Sequence, residues 1–481
     1  MTRMRLAWFS PVPPVRSGIA ACTADLLPHL TRTHQVDVYV DEPVARRITE
    51  QAEVTQRRSP QSNEGIREAG GAWAAAVRSA HEFVWRHQRQ PYDLTVFLLG
   101  NSSHHDYIWP YLFLYPGLTV LHDAHLHHAR AASLLRMQRR ADYRAEFRAN
   151  EPDLPAALGE LAVAGFDSYL YYLAPMTRLV TAASRLTAVH AGAVSGELRA
   201  QLPAAGIETI RLGHGVPLTS AQRAAARERG RRRVGLAADA IVFGVYGGLT
   251  PEKRVPQVLQ AFAAVRAGCP AARLLLVGAA AAHYDLRADI ARHQLGAHVV
   301  VSGYLESDDD LTDALAAADV AVNLRWPTAR EVSGPWLRAL AAGVPTVTMD
   351  LAHTWNVPAL DPRTWQVNAP TRGAAAVTVA IDILDEDHSL RLAMRRLASD
   401  ARLRATLAAN GRAYWEQEHA IERMVEDYER VLAVAVTRPA PAVVLPPHLV
   451  NRGDRALHAI LDDLGIERLR ARLWSPPAGA L

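Results

Sequence analysis

The most informative stretch of the sequence is Ile241-Val-Phe-Gly-Val-Tyr-Gly-Gly-Leu-Thr-Pro-Glu-Lys-Arg254. In it, an apolar run ends in two glycines before a helix pattern begins. Such a turn is typical of βα units in parallel sheets, which bind ligands beyond the carboxyl ends of their strands. Lys253 is the only lysine of the chain; the other 52 of its 53 basic residues are arginines. A compact ammonium kept at this turn indicates a phosphate ligand, with a solvated lysine at a helix start as the alternative.

Apolar runs of strand length alternate with helix patterns on both sides of this stretch, which predicts an α/β fold with parallel sheets. In the first half the predicted strands are Arg5–Ser10, Val36–Val40, Leu94–Leu99, Leu118–His122 and Leu186–His190. In the second half they are Ile241–Tyr246, Arg273–Val277, His298–Val301, Val320–Leu324 and Pro345–Thr348. We therefore expect a nucleotide-binding-type sheet in each half.

The length of 481 residues predicts two or three domains. Residues Arg211–Leu236, with their charged stretch Arg223–Arg233, are interpreted as the connection between the two halves. We place an N-terminal domain at 1–220, a C-terminal domain at 221–436, and a Pro-rich linker with a helical tail at 437–481. Within the tail, an amphipathic helix is predicted over Arg455–Leu473.

Composition narrows the class of protein. With 49% apolar and 21% charged residues, the chain is globular, and a net charge of +4 is small for a nucleic-acid binder, so no nucleic-acid partner is expected. Two cysteines and no apolar run of membrane-spanning length favour a cytoplasmic protein. Arginines between Arg130 and Arg148 could form a basic amphipathic face, so peripheral contact with the inner face of the membrane stays open.

Two further loops have the chemistry of a ligand site. In the first half, Arg16-Ser17-Gly18 precede a helix that opens at Ile19, where free N–H groups and the helix dipole suit an anion. In the second half, Glu331 and Ser333-Gly334 precede another helix, so a carboxylate for sugar hydroxyls stands beside a phosphate site. Glu331 could equally cap that helix.

Four histidines lie at the end of the fourth predicted strand and directly after it, at positions 122, 125, 127 and 128. On a helix, His125 and His128 would share a face while His127 points elsewhere, and no distant His or Cys partner is evident. We therefore expect no metal site. His122 is interpreted as a sugar contact, and His104 and His105 could line the same cleft.

Together these segments resemble the retaining glycosyltransferases of family 4, over residues 4 to about 435. The matching pieces are Phe9-Ser-Pro-Val-Pro-Pro-Val-Arg-Ser-Gly-Ile19, Gly100-Asn101, Val120-Leu-His-Asp123, Tyr246-Gly-Gly-Leu-Thr-Pro-Glu-Lys-Arg254, Val301-Ser-Gly-Tyr-Leu305, Arg325-Trp-Pro-Thr328 and Glu331-Val-Ser-Gly334. The resemblance implies a GT-B fold, in which two Rossmann-like domains face each other across a cleft. It also implies glycan biosynthesis by transfer of a sugar from a nucleotide diphosphate sugar to an acceptor, with retention of anomeric configuration and with no metal or cofactor.

The resemblance assigns roles to individual residues. Lys253 matches the lysine that neutralises the diphosphate, Leu305 the position whose main chain meets the base, and Glu331 the acidic contact to the donor sugar. His122 matches a histidine over the transferred sugar, which makes His122, Lys253 and Glu331 the predicted catalytic residues. The predicted donor-binding residues are Gly248, Arg254, Leu305, Arg325, Ser333 and Gly334, and the predicted acceptor and phosphate loop is Arg16, Ser17 and Gly18.

Two positions depart from the family pattern. Arg338 stands where the family has a second glutamate, its ribose-binding carboxylate, and Gly248 stands where many members have an arginine that shares the diphosphate. Arg325 or Arg254 could replace that arginine. These departures keep one alternative open, a catalytically silent GT-B module that binds a glycan or a partner. Another enzyme on the same scaffold, such as a sugar-nucleotide epimerase or a phosphorylase, is a second alternative. The acceptor could be a glycan, a lipid-linked precursor or a small molecule.

Overall fold

The computed structural model describes residues 3–58, 75–166, 169–351, 354, 356–451 and 460–466. The chain divides into two compact units. The first comprises residues up to Val189, Ser195–Thr209 and the chain from Tyr428 onward, and the second comprises His190–Val194 and Ile210–Asp427. The chain therefore leaves the first unit near residue 210 and rejoins it at Tyr428, whereas the boundaries expected from the sequence lie at residues 220 and 436.

The first unit is built on a seven-stranded parallel sheet with the order β3-β2-β1-β4-β5-β6-β7. Strand β4 is buried along its whole length, as expected for a parallel sheet covered on both faces. The strands are β1 (Arg5–Phe9), β2 (Gln35–Val40), β3 (Ala76–Ser79), β4 (Leu94–Leu99), β5 (Leu118–Leu121), β6 (Leu186–Val189) and β7 (Ile207–Thr209). The helices are α1 (Gly18–Leu30), α2 (Glu42–Arg58), α3 (Phe83–Arg89), α4 (Trp109–Leu114), α5 (His127–Arg136), α6 (Arg140–Asn150), α7 (Ala156–Val163), α8 (Leu170–Leu173), α9 (Arg178–Ala183) and α10 (Gly192–Gln201).

The second unit has its own seven-stranded parallel sheet, with the order β10-β9-β8-β11-β12-β14-β13. The strand order reverses between β8 and β11, and open α/β sheets bind ligands beyond the carboxyl ends of the strands at such a point. The strands are β8 (Ile241–Tyr246), β9 (Ala272–Val277), β10 (Val299–Gly303), β11 (Val320–Asn323), β12 (Thr346–Met349), β13 (Ala359–Leu360) and β14 (Thr378–Ile381). The helices are α11 (Ser220–Arg233), α12 (Val255–Arg266), α13 (Leu286–Arg292), α14 (Asp308–Ala317), α15 (Gly334–Ala341), α16 (Glu386–Ser399), α17 (Ala401–Glu418) and α18 (Ile421–Thr437), the last of which ends in the first unit.

The prediction of two parallel α/β sheets is confirmed, and all ten predicted strands are present with ends shifted by at most two residues. The sequence patterns missed β3, β7, β13 and β14, which have two to four residues each and are too short for a clear apolar run. The proposed connection over Arg211–Leu236 is wrong for residues 220–233. These form α11, which a Thr219–Gln222 capping box opens and whose arginines pair with aspartates of the second unit, as Arg229 does with Asp313.

The basic stretch Arg130–Arg148 is not one continuous exposed face. It forms two helices, α5 and α6, and Arg130 is buried against Glu146 between them. The predicted tail helix over Arg455–Leu473 falls mainly on residues outside those described. Among the helices that the structure describes, none combines the length and the apolar character needed to cross a bilayer.

Candidate functional site

The glycine turn after β8 folds the Lys253 side chain back onto its own strand. Lys253 Nζ donates a hydrogen bond to the Tyr246 carbonyl oxygen at 2.7 Å. Gly247 lies close to both this ammonium and the first turn of α15, because a Cβ at Gly247 would stand 2.5 Å from Lys253 Nζ and 3.6 Å from Pro335 Cγ. The turn therefore brings a cation and a helix N-terminus to the carboxyl end of β8.

The surroundings of Lys253 favour the binding of a negative charge. The pKa of Lys253 is lowered to about 8, first by burial and then by the charge of Arg325, while the charge of Glu331 opposes both effects. An anion bound beside this ammonium would stabilise its charged form. The pKa near 8 therefore indicates a cation that is charged at neutral pH but poorly solvated.

The loop before α15 holds Glu331 from two sides. Arg325 Nε lies 2.5 Å from Glu331 Oε1, and the Thr328 hydroxyl donates to Glu331 Oε2 at 3.0 Å. Glu331 is not the cap of α15: that position is taken by Ser333, whose hydroxyl accepts a hydrogen bond from the Trp336 N–H at 3.4 Å. The carboxylate is therefore fixed by side chains of its own loop, close to Lys253.

The remaining predicted donor-binding residues differ in their surroundings. Both Nε and Nη2 of Arg254 contact the Glu386 carboxylate of α16. Gly248 is exposed, and a Cβ there would meet nothing within 4 Å. Leu305 is partly buried and lines a cavity of about 270 Å³ between α11, α14, β9 and β10. The structure thus brings Lys253, Arg325 and Glu331 together at the start of α15, and it engages Arg254 elsewhere.

A polar cluster beside Gly334 was not predicted from the sequence. Arg338 Nε donates to His214 Nε2 at 2.8 Å, and Arg338 Nη1 lies 2.9 Å from Asp308 Oδ1. The His214 ring also borders the helix start, since its Cδ2 would lie 3.2 Å from a Cβ at Gly334. Nothing in the sequence near position 338 signals His214, which lies 124 residues away along the chain.

In the first unit, the predicted acceptor loop and histidine stand at the carboxyl ends of β1 and β5. Ser17 caps α1 and accepts a hydrogen bond from the Ala20 N–H at 3.0 Å, with Arg16 and Gly18 exposed on either side of it. His122 follows β5 directly, and its N–H donates to the Leu99 carbonyl at 2.8 Å. Both features therefore lie where a parallel sheet presents its ligand-binding loops.

Of the other histidines, His105, His125 and His127 are buried in the first unit, whereas His104 and His128 are exposed. His127 is buried and shares hydrogen bonds with the Tyr143 hydroxyl and the Ala174 carbonyl, both at 2.8 Å, and burial lowers its pKa to about 4. His105 is also buried, with Nδ1 3.0 Å from the Leu98 carbonyl, so only His104 of that pair is exposed. No group of three or more potential metal ligands converges among the residues that the structure describes.

Gly247→Ala is expected to destabilise the second unit and to weaken anion binding at the turn. Gly247 has φ +94°, a conformation that costs an L-residue about 1–2 kcal/mol, and its new Cβ would displace the Lys253 ammonium. Urea unfolding of the variant and titration with a nucleotide sugar measure the two effects. Gly248→Ala is the matched control, since that position is open; equal losses in the two variants would contradict this account.

Part of the chain matches a known protein family in sequence. Residues 240–378 match the family model described as Glycosyl transferases group 1, a segment that contains Lys253, Glu331 and α15. No curated protein sequence matches the chain.

Solved structures match over nearly the whole chain. HepE of Anabaena in complex with UDP and glucose is 14% identical, covers 90% of this chain and 100% of its own, and superposes with a TM-score of 0.58. Sucrose-phosphate synthase of Thermosynechococcus elongatus is 14% identical, with 90% and 98% covered and a TM-score of 0.57. A glycosyltransferase of Rickettsia africae is 10% identical, with 91% and 100% covered and a TM-score of 0.59. The chain therefore has the two-domain α/β fold of the GT-B glycosyltransferases, as the sequence predicted.

Proposed function

We propose that this protein transfers a sugar from a nucleotide diphosphate sugar to an acceptor hydroxyl, with retention of anomeric configuration and without a metal ion. The observation that carries the proposal is that the Lys253 ammonium and Pro335, in the first turn of α15, both lie close to Gly247. A diphosphate fits this arrangement because a point charge and a helix N-terminus can share its negative charge. The match of the same segment to a glycosyltransferase family model supports it.

The chemistry follows from the leaving group. The anomeric C–O bond breaks as the diphosphate takes the electron pair, and preorganised charges that meet this developing charge lower the barrier. Lys253 and the helix start supply them, while Glu331, held by Arg325 and Thr328, binds the donor sugar. The acceptor oxygen attacks from the same face, and its proton passes to a phosphate oxygen of the leaving group. His122 contacts the transferred sugar, and the Arg16–Gly18 loop lies near the phosphates and the acceptor.

The experiment that tests this function begins with donor binding. UDP-glucose is the first donor to try, because HepE of Anabaena was solved with it, and GDP-, ADP- and dTDP-glucose complete the panel. At a hundredfold excess over Kd, a donor stabilises the protein by about 2.7 kcal/mol, which a thermal shift detects. Transfer to glycan, lipid-linked and small-molecule acceptors, followed by NMR of the anomeric configuration with and without EDTA, then tests retention and metal independence.

A catalytically silent binding module is the second candidate, and Arg338 favours it because the family's ribose-binding glutamate is replaced. Binding of a nucleotide sugar without hydrolysis or transfer to any acceptor would support the module. Turnover of any donor would exclude it.

We also propose a cytoplasmic location, with peripheral contact at the inner face of the membrane. Flotation with anionic liposomes is the measurement that tests this contact.

Arg325→Ala is expected to weaken binding of the nucleotide sugar roughly tenfold, about 1.4 kcal/mol. The substitution removes a cation close to Lys253 and releases Glu331 from its partner. Isothermal titration measures the Kd. Arg254→Ala is the comparison: its guanidinium contacts Glu386, so we expect lower thermal stability with little change in Kd. A larger loss of affinity in Arg254→Ala than in Arg325→Ala would reverse the two assignments.

A further inference from the structure

The ion pair between Arg338 and Asp308 stands one turn into α15, next to the proposed diphosphate site. Arg338 follows Gly334 by four residues, a rise of about 6 Å along the helix. Its guanidinium is held at both ends, by His214 through Nε and by Asp308 through Nη1. The Arg338 guanidinium therefore holds the His214 and Asp308 side chains in place and does not itself bind phosphate.

Asp308 is the exposed member of the pair. Its side chain is 78% exposed, whereas that of Arg338 is 14% exposed. Asp308 is the first residue of α14, which follows the carboxyl end of β10 on the same edge of the sheet as the Gly247 turn. The geometry thus presents a carboxylate to solvent near an anion site, with its charge balanced by an arginine.

Such a carboxylate can accept hydrogen bonds from the two neighbouring hydroxyls of a diol. Vicinal hydroxyls donate hydrogen bonds, and nucleotide-binding α/β domains use an acidic side chain near the phosphate site to bind the ribose. A bare carboxylate beside a diphosphate would be repelled, but the Arg338 guanidinium offsets that charge and leaves carboxylate oxygen free to accept.

We propose that Asp308, positioned by Arg338 and His214, binds the ribose hydroxyls of the nucleotide and selects ribonucleotides over 2′-deoxyribonucleotides. This inference rests on the proposed function, because it takes the site beside Lys253 to hold the diphosphate of a nucleotide. Asp308 is the ligand-binding residue, and Arg338 and His214 are positioning residues.

The test compares UDP with 2′-deoxy-UDP, and the GDP and ADP pairs in the same way, by isothermal titration. The wild type is expected to prefer the ribonucleotide roughly ten- to a hundredfold, the range for a hydrogen bond to a charged group. Asp308→Asn is expected to reduce this preference to within about threefold while the Kd of the deoxynucleotide changes little. Asp309→Asn, in the same helical turn, is the matched control and should keep the wild-type preference.

Arg338 is tested separately as a positioning residue. Arg338→Met should lose the ribose preference as Asp308→Asn does, and Arg338→Lys should recover part of it, because an ammonium still reaches the carboxylate. Thermal midpoints near that of the wild type show that each variant is folded. A ribose preference unchanged in Asp308→Asn, or absent from the wild type, overturns the inference and leaves the proposed function standing. Failure of the wild type to bind any of the nucleoside diphosphates or nucleotide sugars overturns the proposed function itself.

Discussion

Lys253→Met is expected to raise the Kd for the nucleotide sugar by roughly 30-fold to several-thousand-fold, a loss of about 2–5 kcal/mol of binding free energy. The substitution keeps most of the volume of the side chain and removes its charge. With Lys253 absent, the diphosphate would face the poorly solvated turn at Gly247 without its ammonium, while the cation Arg325 is already paired with Glu331. The loss should therefore exceed that expected for Arg325→Ala.

The measurement is isothermal titration with whichever nucleotide sugar stabilises the wild type. Lys253→Arg is the matched control, because it keeps the positive charge while changing the shape of the donor group. We expect its Kd to lie between those of the wild type and Lys253→Met. A Kd for Lys253→Met within about threefold of the wild-type value would remove Lys253 from the donor site.

The pKa of about 8 gives the same residue a distinctive pH dependence. Binding of the diphosphate requires the ammonium, so affinity should be constant below pH 8 and fall about tenfold for each pH unit above it. A nucleotide sugar is the right probe, since its diphosphate has no group that titrates near pH 6, as a terminal phosphate does. In Lys253→Arg this decline should disappear, because arginine stays charged.

Local chemistry explains why so much of the second unit could be predicted. Strand β8, the glycine turn and the helix start at Gly334 each depend on a few neighbouring residues. The strand has a run of apolar residues, the turn has two glycines, and the helix has Ser333 as its N-cap. The roles given to Lys253, Glu331 and His122 came from the resemblance to a family, and they stay predictions.

Pairs that are distant in the sequence could not be predicted in this way. Because Arg254 is next to Lys253 in the sequence, Arg254 is predicted to bind phosphate. In the structure the partner of Arg254 is Glu386, which lies 132 residues later in the chain. Arg338 equally gives no sign of His214 or Asp308. Charged side chains have long, flexible stems and few local preferences, so their partners depend on which helices the fold brings together.

The largest stability effect is expected in the first unit, at Glu146. Glu146 and Arg130 are 1% and 5% exposed, and Arg130 Nε donates to Glu146 Oε2 at 2.7 Å. His448, which follows the Pro-rich segment after α18, adds a second contact to Glu146 at 2.7 Å. Glu146→Gln leaves the buried Arg130 charge without its carboxylate, and breaking a buried pair in this way costs about 3–5 kcal/mol.

Glu160→Gln is the matched control, since Glu160 of α7 forms an exposed two-point pair with Arg144 of α6 at 2.7 and 2.8 Å. We expect no measurable destabilisation there, because solvent screens exposed pairs. Peptide-resolved hydrogen exchange over α5, α6 and residues 446–450, together with urea unfolding, measures both variants in a chain of two units. Equal stability of Glu146→Gln and Glu160→Gln would contradict the burial argument.

The pH dependence of the Glu146 effect has a definite sign. Burial alone would raise the pKa of Glu146, but hydrogen bonds from Arg130 and His448 outweigh it and leave the pKa below the ordinary 4.5. A carboxyl whose folded pKa is lowered stabilises the fold above its unfolded pKa and loses that contribution as the pH falls through the folded value. The advantage of the wild type over Glu146→Gln should therefore be full at neutral pH and shrink below about pH 4.5. An advantage that grew on acidification would show that Glu146 is held protonated rather than as a carboxylate between Arg130 and His448.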